Sequence, residues 1–198
     1  FDRHVWDGLA ERMRAAGYLV LTMDLRGHGG SLRQGAQSLD YRRFTPDDWD
    51  KAVMDLEAAR DALVTQGADL GNLAIIGEGM GAKLAAMYAA SDTSMQAVGL
   101  ISPERDDGLQ KAMSSLQTRP MLLMAAEGDS LAAATASAIK ADAKGFCELR
   151  MYPGSAHGTD LFVSSPSAMD QILVWLKPII GPKSSEGERG NQEHAQPA

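Results

Sequence analysis

Cysteine occurs once in these 198 residues, at Cys147, which excludes an intrachain disulfide and any metal cluster built on several thiolates. Nothing in the composition calls for an oxidising compartment, and the lone thiol reads as a small buried hydrophobe. No apolar run approaches the roughly 18 residues that a membrane-spanning helix requires. Basic clusters are missing as well. The net charge is −7, and without a Lys/Arg stripe neither nucleic acid nor an anionic membrane surface is an expected partner. The chain starts on Phe1 rather than Met and its helical pattern begins at once, so upstream sequence is expected to have been lost or processed away, and no compartment is assigned.

What is present suits one globular domain, with 44% apolar and 23% charged residues. Val5, Leu9, Met13 and Ala16 recur at helical spacing before a Gly17 stop, which predicts a helix over residues 1–16. Residues 18–23 (Tyr-Leu-Val-Leu-Thr-Met) form a short apolar run of the kind found in strands covered on both faces. A Gly-rich loop over residues 24–35 follows. Thr45-Pro46-Asp47-Asp48 then supplies a cap, a first-turn proline and two acids for a helix reaching about residue 66. Further strands are predicted at 73–77, 97–102, 120–126 and 146–152, alternating with helices at 81–90, 108–116, 131–143 and 166–179. Such alternation gives a doubly wound, mostly parallel α/β sheet, since parallel neighbours need crossover helices. Residues 181–198 hold no apolar residue beyond alanine and are expected to be a disordered tail.

The most informative absence is a hydroxyl. The strand at 73–77 runs into Gly77-Glu78-Gly79-Met80-Gly81 and an Ala-rich helix, the strand–turn–helix setting of the G-x-S-x-G nucleophile elbow with Gly79 in the serine's place. In open α/β sheets the ligand crevice lies at the carboxyl ends of the strands, so the loops after them hold the candidate site. Besides the elbow, these are Asp24-Leu25-Arg26-Gly27-His28-Gly29-Gly30-Ser31, then Glu127-Gly128-Asp129, and Gly154-Ser155-Ala156-His157-Gly158-Thr159.

These four loops, in this order on these elements, resemble the α/β-hydrolase superfamily, nearest to its dienelactone-hydrolase-like or small-esterase members, over residues 1–180. The resemblance implies acyl transfer on a carboxylic ester or lactone, with His157 matching the general base and Asp129 its orienting acid. It also implies that Gly79 occupies the nucleophile position and that the Met80 backbone N–H is one oxyanion donor. Glu127 is the alternative acid. Glycine has no oxygen with which to form an acyl-enzyme, so catalysis is expected to be impaired. The implied partner is a small ester, lactone or carboxylate; no metal or cofactor is implied. The family's strand order further places one more strand between residues 18–23 and 73–77, which would precede residue 1.

Asp24, Arg26 and His28 are read as structural, tying down the Gly-rich loop through charged hydrogen bonds. Glu78 is read as a solvated neighbour of the elbow, with a carboxylate base acting on water as the alternative. Ser31 and Ser155 lack elbow context, and Met54, Met87 and Met124 are read as core filler. Two other functions stay open. Gly77-x-Gly79-x-x-Ala82, with Glu104 some twenty residues on, also fits a dinucleotide fingerprint. The other is a non-catalytic binding or scaffold role for the cleft.

Overall fold

The computed structural model describes residues 2–116 and 118–181. In chain order the elements are α1 (Asp7–Ala15), β1 (Arg33–Gln34), β2 (Gln37–Ser38), α2 (Pro46–Lys51), α3 (Val53–Thr65), β3 (Leu73–Glu78) and α4 (Met80–Ser91). They continue with β4 (Met95–Ile101), α5 (Asp107–Leu116), β5 (Met121–Ala126), α6 (Ser130–Asp142), β6 (Cys147–Tyr152), α7 (Asp160–Ser164) and α8 (Ser167–Ile180). Strands β3-β4-β5-β6 pair in that order, all parallel, as the buried apolar runs predict.

Side chains alternate across the sheet. Val98, Leu100, Met121 and Leu123 face one core together with α4, α5 and α6, while Ala97, Ile101, Leu122 and Met124 face a second core with α1, α7 and α8. Leu100, Leu122 and Leu123 are fully buried, each contributing about 1.5–3 kcal/mol. The small face of α4, formed by Ala82, Ala85, Ala86 and Ala89, is likewise buried, which draws this helix close against the sheet. Close approach recurs at Gly99, where a Cβ would stand 3.1 Å from Ile76 on the neighbouring strand.

The structure corrects several expectations. Residues 18–23 join no sheet. A strand exists only by exchanging backbone hydrogen bonds with a neighbour, and β3 does not pair with this segment; a cavity of about 430 Å³ is lined by Leu21, Thr22 and Met23 on one side and Ala74 and Ile76 on the other. Leu19 and Leu21 are accordingly exposed rather than covered on both faces. The helix expected up to residue 66 is two helices, α2 and α3, parted at Ala52, whose ψ of −14° turns its carbonyl off the helix axis. The predicted cap is present: the Thr45 hydroxyl accepts the Asp48 N–H and the Asp48 carboxylate accepts the Thr45 N–H. Met54 is exposed on α3 and fills no core, unlike Met124. Apart from Gly181, the expected tail over residues 181–198 lies outside the described residues.

Candidate functional site

The loop after α1 is built around two carboxylates. Asp24 is buried and accepts hydrogen bonds from the Gly30 N–H at 2.9 Å, the Arg3 N–H at 2.7 Å and the Arg3 guanidinium at 2.6 Å. Burial alone would raise its pKa; the two backbone donors and the Arg3 charge outweigh that, and the carboxyl titrates below its ordinary range. Arg26 makes a two-pronged pair with Asp55, through Nε at 3.0 Å and Nη2 at 2.7 Å, while its own backbone N–H adds a third bond at 2.8 Å. The His28 ring stacks on Tyr41 with centroids 4.0 Å apart. All three residues therefore have structural partners, and Asp24 and His28 also line the cavity beside β3.

At the end of β3 the backbone turns sharply into α4. Gly79 has φ +50° and ψ −119°, a conformation that side-chain-bearing residues rarely adopt. The turn is tight because Gly77 lies under it: a Cβ there would meet the Gly81 carbonyl oxygen at 2.2 Å. The Gly79 N–H donates to the Ile101 carbonyl at 3.0 Å, and its own carbonyl accepts from the Ala82 N–H at 3.1 Å.

Opposite this turn stands His157. Its Nδ1 is 2.7 Å from the Asp129 Oδ2, at the end of β5, and the imidazole is half exposed while the Asp129 side chain is 14% exposed. A carboxylate only accepts, so this bond puts the hydrogen on Nδ1 and leaves the Nε2 lone pair free. Nε2 points toward the elbow: a Cβ built on Gly79 would sit 3.5 Å from it and 3.8 Å from the Glu104 Oε1. Glu104, on the loop after β4, has its Oε1 3.6 Å from Nε2. The Asp129 side chain makes no capping bond to α6, although the residue holds the cap position of that helix. Glu127 is exposed, and it is Asp129 that meets the imidazole.

The His157 loop is itself held from two strands. The Ser102 hydroxyl accepts the Gly158 N–H at 2.9 Å, and the Glu78 Oε2 accepts the Thr159 N–H at 2.5 Å. Glu78 is thus engaged with this loop rather than merely solvated, and it packs so tightly that a Cβ on Gly158 would fall 1.8 Å from its carboxylate. Sequence reasoning did not single out Ser102. Its one distinguishing mark is conformational: φ is +45°, the sole positive value outside glycine among the described residues.

Gly79, Met80, Glu104 and His157 all border the 430 Å³ cavity, whose other walls are largely apolar residues such as Leu25, Leu84 and Ile76. Its lining follows β3 from Leu73 to Glu78, so the cavity extends along the open edge of the sheet, and only one end of it borders the elbow and the imidazole. No group of His, Cys, Asp and Glu suited to a metal ion occurs among the described residues. No described helix is long and apolar enough to cross a membrane. The dinucleotide reading is not favoured: Glu104 stands beside the imidazole of an Asp129–His157 pair, for which a ribose site has no use.

A family model described as serine aminopeptidase, S33, matches residues 4–118. No curated protein matches the chain. Among solved structures, a CIB-like hydrolase from Thermoplasma acidophilum superposes with a TM-score of 0.66 at 21% identity, covering 88% of this chain and 79% of that one. A Pyrococcus furiosus esterase gives 0.68 at 19% identity over 90% and 77%. A dienelactone hydrolase from Anabaena variabilis gives 0.66 at 20% identity over 90% and 80%.

Proposed function

We propose that this chain, which belongs to the serine aminopeptidase, S33, family of α/β-hydrolases, binds a small carboxylic ester, lactone or carboxylate in the cleft beside Gly79 and is impaired in covalent acyl transfer. In this reading His157 is the general base, Asp129 orients its ring, Met80 offers a backbone N–H to the oxyanion, and Gly79 stands where the nucleophile would be. One observation carries it: the free Nε2 of an Asp129-bound imidazole lies 3.5 Å from the Cβ position of a residue that has no side chain. An oxygen borne on that Cβ would be within hydrogen-bond reach of Nε2, the nucleophile–base relation that acyl transfer requires.

Loss of the nucleophile in such a site costs roughly a millionfold in turnover, about 8 kcal/mol of barrier. Base, orienting acid and oxyanion donor do not depend on it, so ligand recognition survives. The names of the structural neighbours, an esterase and a dienelactone hydrolase among them, agree with an ester or lactone as the ligand class.

Fluorophosphonate labelling tests this directly. The wild-type chain is expected to form no covalent adduct, because no serine lies in the elbow. Gly79→Ser is expected to gain an adduct and measurable hydrolysis of short-chain esters. Labelling of the wild type at the cleft, or a correctly folded Gly79→Ser chain that stays unlabelled and inert, overturns the assignment of His157 and Asp129.

A further inference from the structure

We propose that Glu104 and His157 together hold a water molecule beside Gly79 and direct it onto the ester carbonyl, making Glu104 a further catalytic residue in a direct hydrolysis that bypasses the acyl-enzyme. The inference rests on the reading above, that an ester carbonyl is presented to His157.

Three points define the position. The Nε2 of His157 and the Oε1 of Glu104 are 3.6 Å apart, and the Cβ direction of Gly79 points at both, from 3.5 and 3.8 Å. At 3.6 Å the two side chains do not hydrogen-bond each other. With the Nδ1 hydrogen committed to Asp129, Nε2 is an acceptor, and so is the Glu104 carboxylate. Two acceptors that close are matched by one small molecule with two hydrogens. A water donating to both turns its lone pairs away from them, toward whatever the cleft presents.

The surrounding residues leave Glu104 to this task. It makes no hydrogen bond among the described residues, and its side chain is 58% exposed at the mouth of the cavity. The other nearby carboxylates are occupied: Glu78 by the Thr159 N–H, Asp129 by Nδ1. Glycine at position 79 contributes by keeping the hydroxymethyl volume of a serine open to solvent.

The step balances with water as the sole co-reactant. One water O–H bond breaks and its proton passes to Nε2 while the water oxygen forms a bond to the carbonyl carbon and the carbonyl π pair moves onto oxygen. Glu104 accepts the second hydrogen bond throughout and takes no proton. The oxyanion is held by the Met80 N–H. Collapse re-forms the carbonyl and breaks the ester C–O bond, and the leaving oxygen takes the proton back from Nε2, giving acid and alcohol.

The test uses p-nitrophenyl acetate, with binding of its inert ketone analogue measured separately by Trp fluorescence. Comparison of the wild type with His157→Asn and Glu104→Gln should give slow, burst-free turnover in the wild type, exceeding that of His157→Asn. Glu104→Gln should lose about a hundredfold in kcat, the low end of the range for one acid–base contribution, with analogue affinity unchanged. If the analogue binds but turnover is the same in all three chains, or if Glu104→Gln keeps the wild-type kcat while His157→Asn does not, the water route is wrong and the ester-binding reading stands. If the analogue does not bind the wild type, the ester-binding reading fails, and this inference with it.

Discussion

Ser102 offers the clearest separation of a hydrogen bond from backbone strain. Its hydroxyl accepts the buried N–H of Gly158, the residue after His157, and its φ of +45° places a Cβ in the left-handed region. Ser102→Ala removes the acceptor and keeps the Cβ. The Gly158 N–H is then left buried and unpaired, at a cost of about 1–3 kcal/mol. Ser102→Gly removes the same acceptor but relieves the left-handed Cβ, recovering up to about 1 kcal/mol. Both variants should therefore be less stable than the wild type, with alanine the worse of the two. For a domain of this size each 1 kcal/mol is worth about 2–4 °C in Tm. Urea denaturation followed by Trp fluorescence gives the ranking, and hydrogen exchange at the Gly158 amide, faster in both variants, shows that the loss is local to the His157 loop. An alanine variant as stable as the wild type, or a glycine variant less stable than the alanine one, would refute the reasoning.

Gly77→Ala forces a Cβ to 2.2 Å from the Gly81 carbonyl oxygen, so the start of α4 must shift; a loss of about 1–3 kcal/mol or more is expected, and an unchanged melting temperature would contradict the packing described for the elbow. Asp24 governs part of the acid limb of stability. Its folded pKa is lowered, by backbone donors and Arg3 acting against burial, so its contribution is fully present above the unfolded carboxyl value and is lost as pH falls through the folded one. Wild-type stability should thus fall on acidification below about pH 4, the unfolded reference for Asp, and Asp24→Asn should be less stable at neutral pH with a flatter acid limb in pH-dependent urea titrations; a parallel limb would show that Asp24 is not the group responsible.

The parallel sheet was legible because β4 and β5 carry buried apolar runs and helices alternate with all four strands, which makes parallel pairing follow from the crossovers. The same run at residues 18–23 misled, since whether a strand forms depends on a neighbour that local pattern does not report. The short hairpin of β1 and β2 was missed because Arg33-Gln34 and Gln37-Ser38 are polar on both faces, and α7 because five residues are too few to display a helical period. At the site, the juxtaposition of Asp129, His157 and Gly79 was expected from the family resemblance that the four loops carry, whereas the position of Glu104 was not. Its place beside Nε2 is set by β4 lying between β3 and β5, a fact about sheet order rather than spacing. Ser102 carries no sequence signal at all, because its φ is a property of the fold.

The turn at Gly79 keeps an unusual backbone without any help from a side chain. The unusual backbone at Gly79 is held from outside: by the Ile101 carbonyl that takes its N–H, by the α4 amides that its own carbonyl accepts, and by the glycine contact beneath it at Gly77. None of these involves a side chain at position 79. A Cβ there meets nothing closer than 3.5 Å, ordinary van der Waals contact, so space does not oppose a Cβ. Conformation does, because any side chain must accept φ +50° at a cost on the order of 1–3 kcal/mol. Glycine thus relieves strain without disturbing the turn, because the hydrogen bonds that set it belong to β4 and α4. On the reading proposed above, a serine at this point would carry that strain, so Gly79→Ser is expected to lower stability by about 1–3 kcal/mol in urea denaturation even as it gains an oxygen facing Nε2.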